Sequence, residues 1–124
     1  MTRLALSAQT TPGSYPTLPL SANAADFTWT AAGASFADGF SFPWTGKEVL
    51  LVRNDDAAAQ TVTINSVADD RHKRTGDIAA YSVGAAEYAA LGPFGSDGWK
   101  QSTGLVHGAA SDADVKLAVI RLNN

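Results

Sequence analysis

Cysteine is absent from the 124-residue chain, and that absence excludes disulfide staples, thiolate catalysis and cysteine-ligated zinc together. Charge is sparse as well: Asp, Glu, Lys and Arg make up 17% of the residues and the formal net charge is −3. No basic stripe of the kind that binds nucleic acid or an anionic membrane is present, so neither is expected as a partner. Long apolar runs are also missing. The longest are a handful of residues, against the ~20 needed to cross a bilayer, and the N-terminus lacks a basic region followed by an apolar signal core. A soluble protein not marked for export is expected. No stretch shows convincing helical periodicity. With no staple and little charge, stability must come from packing or assembly, and one domain of this length buries roughly two thirds of its unfolded surface. Lys and Glu are scarce while Ala and Gly are plentiful, a surface that suits cover by a partner better than bare exposure.

What is present is period-two alternation. Around Lys47–Val67, the runs Glu48–Arg53 and Gln60–Val67 flank Asn54-Asp55-Asp56-Ala57-Ala58-Ala59, where Asn and Asp side chains bond local amides and stop a strand. The pair reads as a hairpin. Val62, Ile64 and Ser66 share one face of the second run, whereas Val49-Leu50-Leu51-Val52 is apolar on both faces and reads as an interior strand. Asp26–Ala31 alternates with Phe27, Trp29 and Ala31 inward. Ile78–Val83, a turn at Gly84-Ala85-Ala86 enabled by glycine's tolerance of positive φ, and Glu87–Leu91 read as a second hairpin. Trp99–Gln101 starts a strand that resumes at Leu105, and Phe94 folds back onto the core. Val115–Leu122 should run through the middle of a sheet. The expected fold is an all-β single-domain β-sandwich, jelly-roll-like or Ig-like, of about eight short antiparallel strands over residues 25–124, preceded by an extended N-terminal arm over residues 1–24. Leu51, Val62, Ile64, Leu117 and Val119 are its expected core.

The arm carries Pro12, Pro16 and Pro19, each lacking an amide donor and holding its predecessor extended. Leu4, Leu6, Tyr15, Leu18 and Leu20 give it more apolar anchors than a solvating tail needs, which points to contact with a neighbouring subunit. In the Gly33–Gly46 loop, Phe36, Phe40, Phe42 and Trp44 could form a contact surface, with Phe40 and Trp44 the candidate anchors. Their alternation equally fits an edge strand or a plug closing the core. The run Ala68–Gly76, with Asp69, Asp70, Arg71, His72, Lys73 and Arg74, reads as a solvated loop. His72 has no nucleophile or second ligand at useful spacing, His107 lies alone on a strand, and Asp26, Asp38, Glu48 and Glu87 are too scattered to pair as acid and base. No catalytic, cofactor-binding or metal-ligating residue is assigned, and an enzyme is the weakest reading.

Three stretches resemble a family of small virion proteins in the head-gene modules of tailed bacteriophages, whose better-understood relatives are capsid decoration (cement) proteins. They are Gly46-Lys47-Glu48-Val49-Leu50-Leu51-Val52-Arg53-Asn54 with Thr61-Val62-Thr63-Ile64, then Val83-Gly84-Ala85-Ala86-Glu87 with Leu91-Gly92-Pro93-Phe94, and Val115-Lys116-Leu117-Ala118-Val119-Ile120-Arg121-Leu122. The likeness runs from about Asp26 to Leu122 and departs at the charged run and the proline-rich leader. It implies a protein made in the host cytoplasm and placed on the outer capsid surface of the virion. Its partners would be the major capsid protein and further copies of itself as a homotrimer, bridging capsomers without chemistry. A second reading is a carbohydrate-binding or head-fibre/tail-associated module with Trp29, Trp44, Tyr15 or Trp99 as stacking platforms.

Overall fold

The computed structural model describes residues 3–12, 22, 25–34, 36–67 and 76–122. Its ten strands are β1 (Leu4–Ala5), β2 (Ala8–Thr10), β3 (Thr30–Ala31), β4 (Phe40–Pro43), β5 (Glu48–Asn54), β6 (Gln60–Asn65), β7 (Ile78–Val83), β8 (Tyr88–Leu91), β9 (Leu105–Ala110) and β10 (Val115–Arg121). They form two sheets, β1-β4-β9-β6-β7 (sheet 1) and β2-β10-β5-β8 (sheet 2), with β3 also paired to β10. The all-β sandwich expected from the alternation is the fold. Residues 25–122 carry the expected eight strands, β3–β10, and among the described residues the difference lies in two further strands, β1 and β2, which pair in parallel, β1 with β4 and β2 with β10.

Alternation fills the space between the sheets. β5 buries every second residue from Glu48 to Asn54, β6 contributes Val62 and Ile64, and β10 contributes Val115, Leu117 and Val119. As expected, β10 is interior, pairing with β5 on one side and with β2 and β3 on the other. Leu51 departs from the expected core: it is half-buried on the outer face of sheet 2, while Leu50 and Val52 point inward.

The two expected hairpins are arches between layers. β5 pairs with β10 and β8 in sheet 2, whereas β6 pairs with β7 and β9 in sheet 1. Asn54 explains the crossing. It is 0% exposed, and its amide donates to the carbonyls of Ala58, Val83 and Gly84 at 2.9, 2.9 and 3.2 Å while its Oδ1 accepts the Asp56 N–H at 2.9 Å. One buried side chain thus ties the 55–59 crossing to the end of β7, which itself crosses from sheet 1 to β8 in sheet 2. In that second crossing positive φ falls on Ala86, at 61°, and not on the glycine. The Glu87 carboxylate folds over Gly84 and accepts its N–H at 3.0 Å, so a Cβ there would displace the end of the Glu87 side chain.

The Phe40–Trp44 alternation is an interior strand of sheet 1, with Phe40 and Phe42 each 1% exposed. The Phe40 ring lies against Gly108, its register partner on β9, where a Cβ would come within 2.5 Å of the ring. Phe42, Phe94 and Trp99 continue the aromatic packing at centroid separations of 5.9 and 5.3 Å. Phe94 is buried as expected. Trp99 ends a single helical turn, α1 (Ser96–Trp99), where a strand was expected. Gly98 at φ 104° is incompatible with continued extended pairing, and its carbonyl accepts the Val67 N–H.

Residues 4–10 fall in the expected extended arm, where Leu4 and Leu6 alternate against Arg3, Ala5 and Ser7 as a short strand would, and they stitch the two layers together: β1 joins sheet 1, β2 joins sheet 2, and Leu6 between them is 5% exposed in the core. Backbone bonds from Leu4 N–H to Gly39, Leu6 N–H to Ser41 and Thr11 N–H to Arg121 extend the ladders. The remaining anchors expected in the arm, Tyr15, Leu18 and Leu20, lie outside the described residues, as does the charged run Asp69–Arg74. At the base of that run, Asp77 accepts the Ser66 N–H and hydroxyl at 2.7 and 2.9 Å, bonds that hold its carboxyl below the usual range.

Candidate functional site

Of the residues expected to meet a partner, the structure gives Leu6 and Phe40 to the core, Phe40 from β4 and Leu6 from the link that carries the chain between the two layers. Leu4 is half-buried and packs against the same core. Trp44 is half-buried at one end: its indole N–H donates to the Phe94 carbonyl at 2.7 Å, and the Lys100 ammonium sits 4.9 Å from its ring centroid. These residues therefore form no common outward surface.

The outward surface lies elsewhere. On sheet 2, the parity that buries Leu50 and Val52 places Val49, Leu51 and Arg53 of β5 on the outer face. Register aligns Leu51 with Ala118 of β10 and Ala90 of β8, and Arg53 with Lys116 and Tyr88. The middle of the face is apolar, and residues 25–29 lie along it. Gln9 clamps that segment, donating from Nε2 to the Thr28 carbonyl and accepting the Thr28 N–H at Oε1, both at 2.9 Å. Phe27 and Trp29, expected inward, are consequently outside; Phe27 is 40% exposed. Only Thr30–Ala31 of that expected strand pairs, with β10.

Three aromatic rings then meet on the face. Phe27 and Trp29 pack edge to face at 5.3 Å, Trp29 and Tyr88 lie 6.1 Å apart, and the Arg53 guanidinium sits 5.2 Å from the Trp29 centroid. Arg53 is fixed there by an ion pair to Asp55 at 2.8 Å, which raises the guanidinium pKa and lowers that of the carboxyl. Between these rings and the strands is a groove of about 390 Å³ lined by Phe27, Trp29, Leu51, Tyr88, Ala89 and Ala90. It adjoins a depression of about 210 Å³ that shares Phe27 and Leu51 and reaches Gln9, Pro12 and Ile120. Tyr88 is the most prominent ring, at 68% exposure. Rigid rings beside small residues offer large contact area with few rotors to freeze.

The opposite face is the more polar. Thr61, Thr63, Asn65 and His107 occupy the outer parity of sheet 1 together with Pro43, Leu105 and Ala109, and burial, then the nearby Arg3 charge, lower the His107 pKa. Glu48 serves the scaffold: it is 2% exposed and accepts the Thr45 N–H, the Thr45 hydroxyl and Arg121 Nε–H, each at 2.7 Å. Burial opposes its ionisation, but those three donors outweigh burial and hold its pKa below the ordinary value. Among the described residues no three His, Asp or Glu side chains converge on a metal-sized site, and none of the described helices is long and apolar enough to cross a membrane. Comparison with family models, curated proteins and solved structures returns no match.

The groove was partly signalled in the sequence. Leu51 follows an apolar Leu50, so one of the two had to face outward, and an outward Leu in mid-sheet requires cover. Tyr88 had no such signal, because one exposed ring on a four-residue strand leaves no periodicity to detect.

Proposed function

We propose that the protein is a bacteriophage virion structural protein, a head decoration (cement) protein that binds the outside of the capsid through the major capsid protein and bridges capsomers, together with further copies of itself. The single observation that carries a binding role is the apolar, aromatic outer face of sheet 2, set against the more polar outer face of sheet 1. A contiguous apolar patch on one face of a small protein is a contact surface. The head-protein assignment comes from the resemblance, whose residues form β5, the middle of β6, β10, the turn before β8 and the segment that follows β8 from Leu91. Binding only the assembled shell stabilises it by RT ln(1 + [L]/Kd), about 2.7 kcal/mol per site at a hundredfold excess over Kd. No bond is made or broken.

The test compares capsids with and without the protein under heat or chelator stress, using wild type and Trp29→Ser/Tyr88→Ser. Decorated capsids should survive longer, and the doubly substituted protein should confer less protection. Equal survival of bare and decorated capsids refutes cementing. A carbohydrate-binding module is the second reading, favoured by the adjacent Trp29 and Tyr88 rings. Trp44 and Trp99 do not serve it, since both pack toward Phe94. Glycan binding by the isolated domain, abolished by Trp29→Ala, would replace the capsid reading.

A further inference from the structure

The free edge of sheet 2 borders the groove, with Tyr88, Ala89 and Ala90 of β8 shared by both. β8 is the terminal strand of that sheet and pairs only with β5 among the described residues. The Asn54 N–H donates to the Glu87 carbonyl, and the antiparallel alternation that follows turns the backbone groups of Ala89 and Leu91 toward β5. Those of Tyr88 and Ala90 point out of the free edge, unpaired among the described residues. Edge strands are ordinarily blunted by a charge, a proline, a bulge or extreme shortness. At the far end of sheet 1, β7 has such a device: Ala80 is at φ 49° and the β6–β7 register shifts between Val62 and Ile64. β1 has only two residues. β8, Tyr-Ala-Ala-Leu, has no charge, proline or bulge.

We propose that β8 pairs antiparallel with β8 of a second copy of this chain about a two-fold axis at Ala89. In that register Tyr88 lies opposite the partner's Ala90, and the outward groups of both residues are satisfied by about four inter-chain hydrogen bonds. The side chains are self-complementary: on the outer face each exposed Tyr88 ring covers the partner's Ala90 methyl, a large residue over a small one. Like charges are kept apart. Glu87, the acidic residue flanking the strand, falls opposite the partner's Leu91, and its carboxylate is already held by its own Gly84 N–H at 3.0 Å. The pairing makes one continuous sheet from two copies and brings both aromatic grooves to the same side of it. This contact does not depend on the capsid reading; in a ring of three copies it would join one ring to the next, because a two-fold contact cannot close a trimer.

The missing cysteine makes the test clean. Ala89→Cys and Ala90→Cys are prepared separately in the full chain, their fold is checked by circular dichroism, and the rate of disulfide-linked dimer under mild oxidation is read on non-reducing gels. At the two-fold axis the Ala89 positions form a non-hydrogen-bonded pair with Cα atoms about 4.5 Å apart, within disulfide range, whereas the two Ala90 positions are about 8–9 Å apart and outside it. The Ala89→Cys variant should therefore cross-link at least about tenfold faster than the Ala90→Cys variant. Random collision predicts the reverse order, because Ala90 is exposed and Ala89 is half-buried. Equal rates, a faster Ala90→Cys variant, or no dimer from either would overturn the pairing.

Discussion

Glu48→Gln tests the buried polar anchor of sheet 2. The substitution preserves volume but replaces a carboxylate that accepts three hydrogen bonds at 2.7 Å. If the remaining oxygen stays on the Thr45 N–H, the new NH2 group faces Arg121 Nε–H, donor against donor. A hydrogen bond to a charged group contributes ~1.5–3 kcal/mol, and breaking a buried ion pair costs ~3–5. Arg121 keeps 31% side-chain exposure and is rehydrated when the pair is lost, so the lower range applies, about 2–3 kcal/mol. With about 2.1 cal/mol/K of unfolding entropy per residue, that lowers Tm by roughly 8–12 °C at pH 7. The pH dependence has a definite sign. Because the folded-state pKa of Glu48 is lowered, its contribution is present above the unfolded value of about 4.3 and is lost as pH falls through the folded one. Melting followed by circular dichroism should show a gap between wild type and variant that is widest at neutral pH and narrows below about pH 4. An unchanged Tm at pH 7, or a gap of constant size down to the acid limit of folding, would refute this account.

Asn54→Ala removes the donor to the Ala58, Val83 and Gly84 carbonyls, of which the bond to Val83 is fully buried, and the acceptor of the Asp56 N–H; the Gly84 carbonyl keeps the Glu87 N–H, and the loss should be on the order of 2 kcal/mol by denaturant titration. Asn54→Asp should be worse at neutral pH, because a carboxylate would face those carbonyls. Leu6→Ala and Leu50→Ala should each cost ~2–5 kcal/mol while Leu51→Ala costs about 1 or less, and equal losses at all three would invert the face assignment of β5.

Parity along a strand is legible in sequence, and most of the fold is built on it. The alternation of β6 and β10 placed Val62, Ile64, Leu117 and Val119 correctly in the core, and apolar residues on both parities correctly marked β5 as interior. Parity does not say which sheet a strand joins. β5 and β6 alternate as well across an arch as across a hairpin, and the choice rests on Asn54, whose donors reach Val83 and Gly84, about thirty positions away. A turn-forming Asn between two strands is ordinary in sequence; its long-range partners appear only when the layers assemble. The same limit applies to β1 and β2: Leu4 and Leu6 alternate as a short strand would, but two- and three-residue strands carry no sign of the sheet each joins.

The candidate site shows why a surface is harder to read than a core. Phe27, Trp29 and Ala31 alternate as an inward strand would, yet the stretch up to Trp29 lies across the outer face of sheet 2, held by the Gln9 amide and not by a ladder. The cause is competition for one edge: β10 commits residues 119–121 to β2 and residues 116 and 117 to β3, leaving only Ala118 between them for a longer β3. The displaced segment keeps its aromatic residues but presents them to the face that Leu51 and Ala118 make apolar, and Ala118 is 2% exposed although it lies on the outer parity of β10. Burial on an outer parity is the signature of a covered sheet face. The cover extends over Ala118 but stops short of Tyr88, where the face remains open beside the unpaired edge of β8.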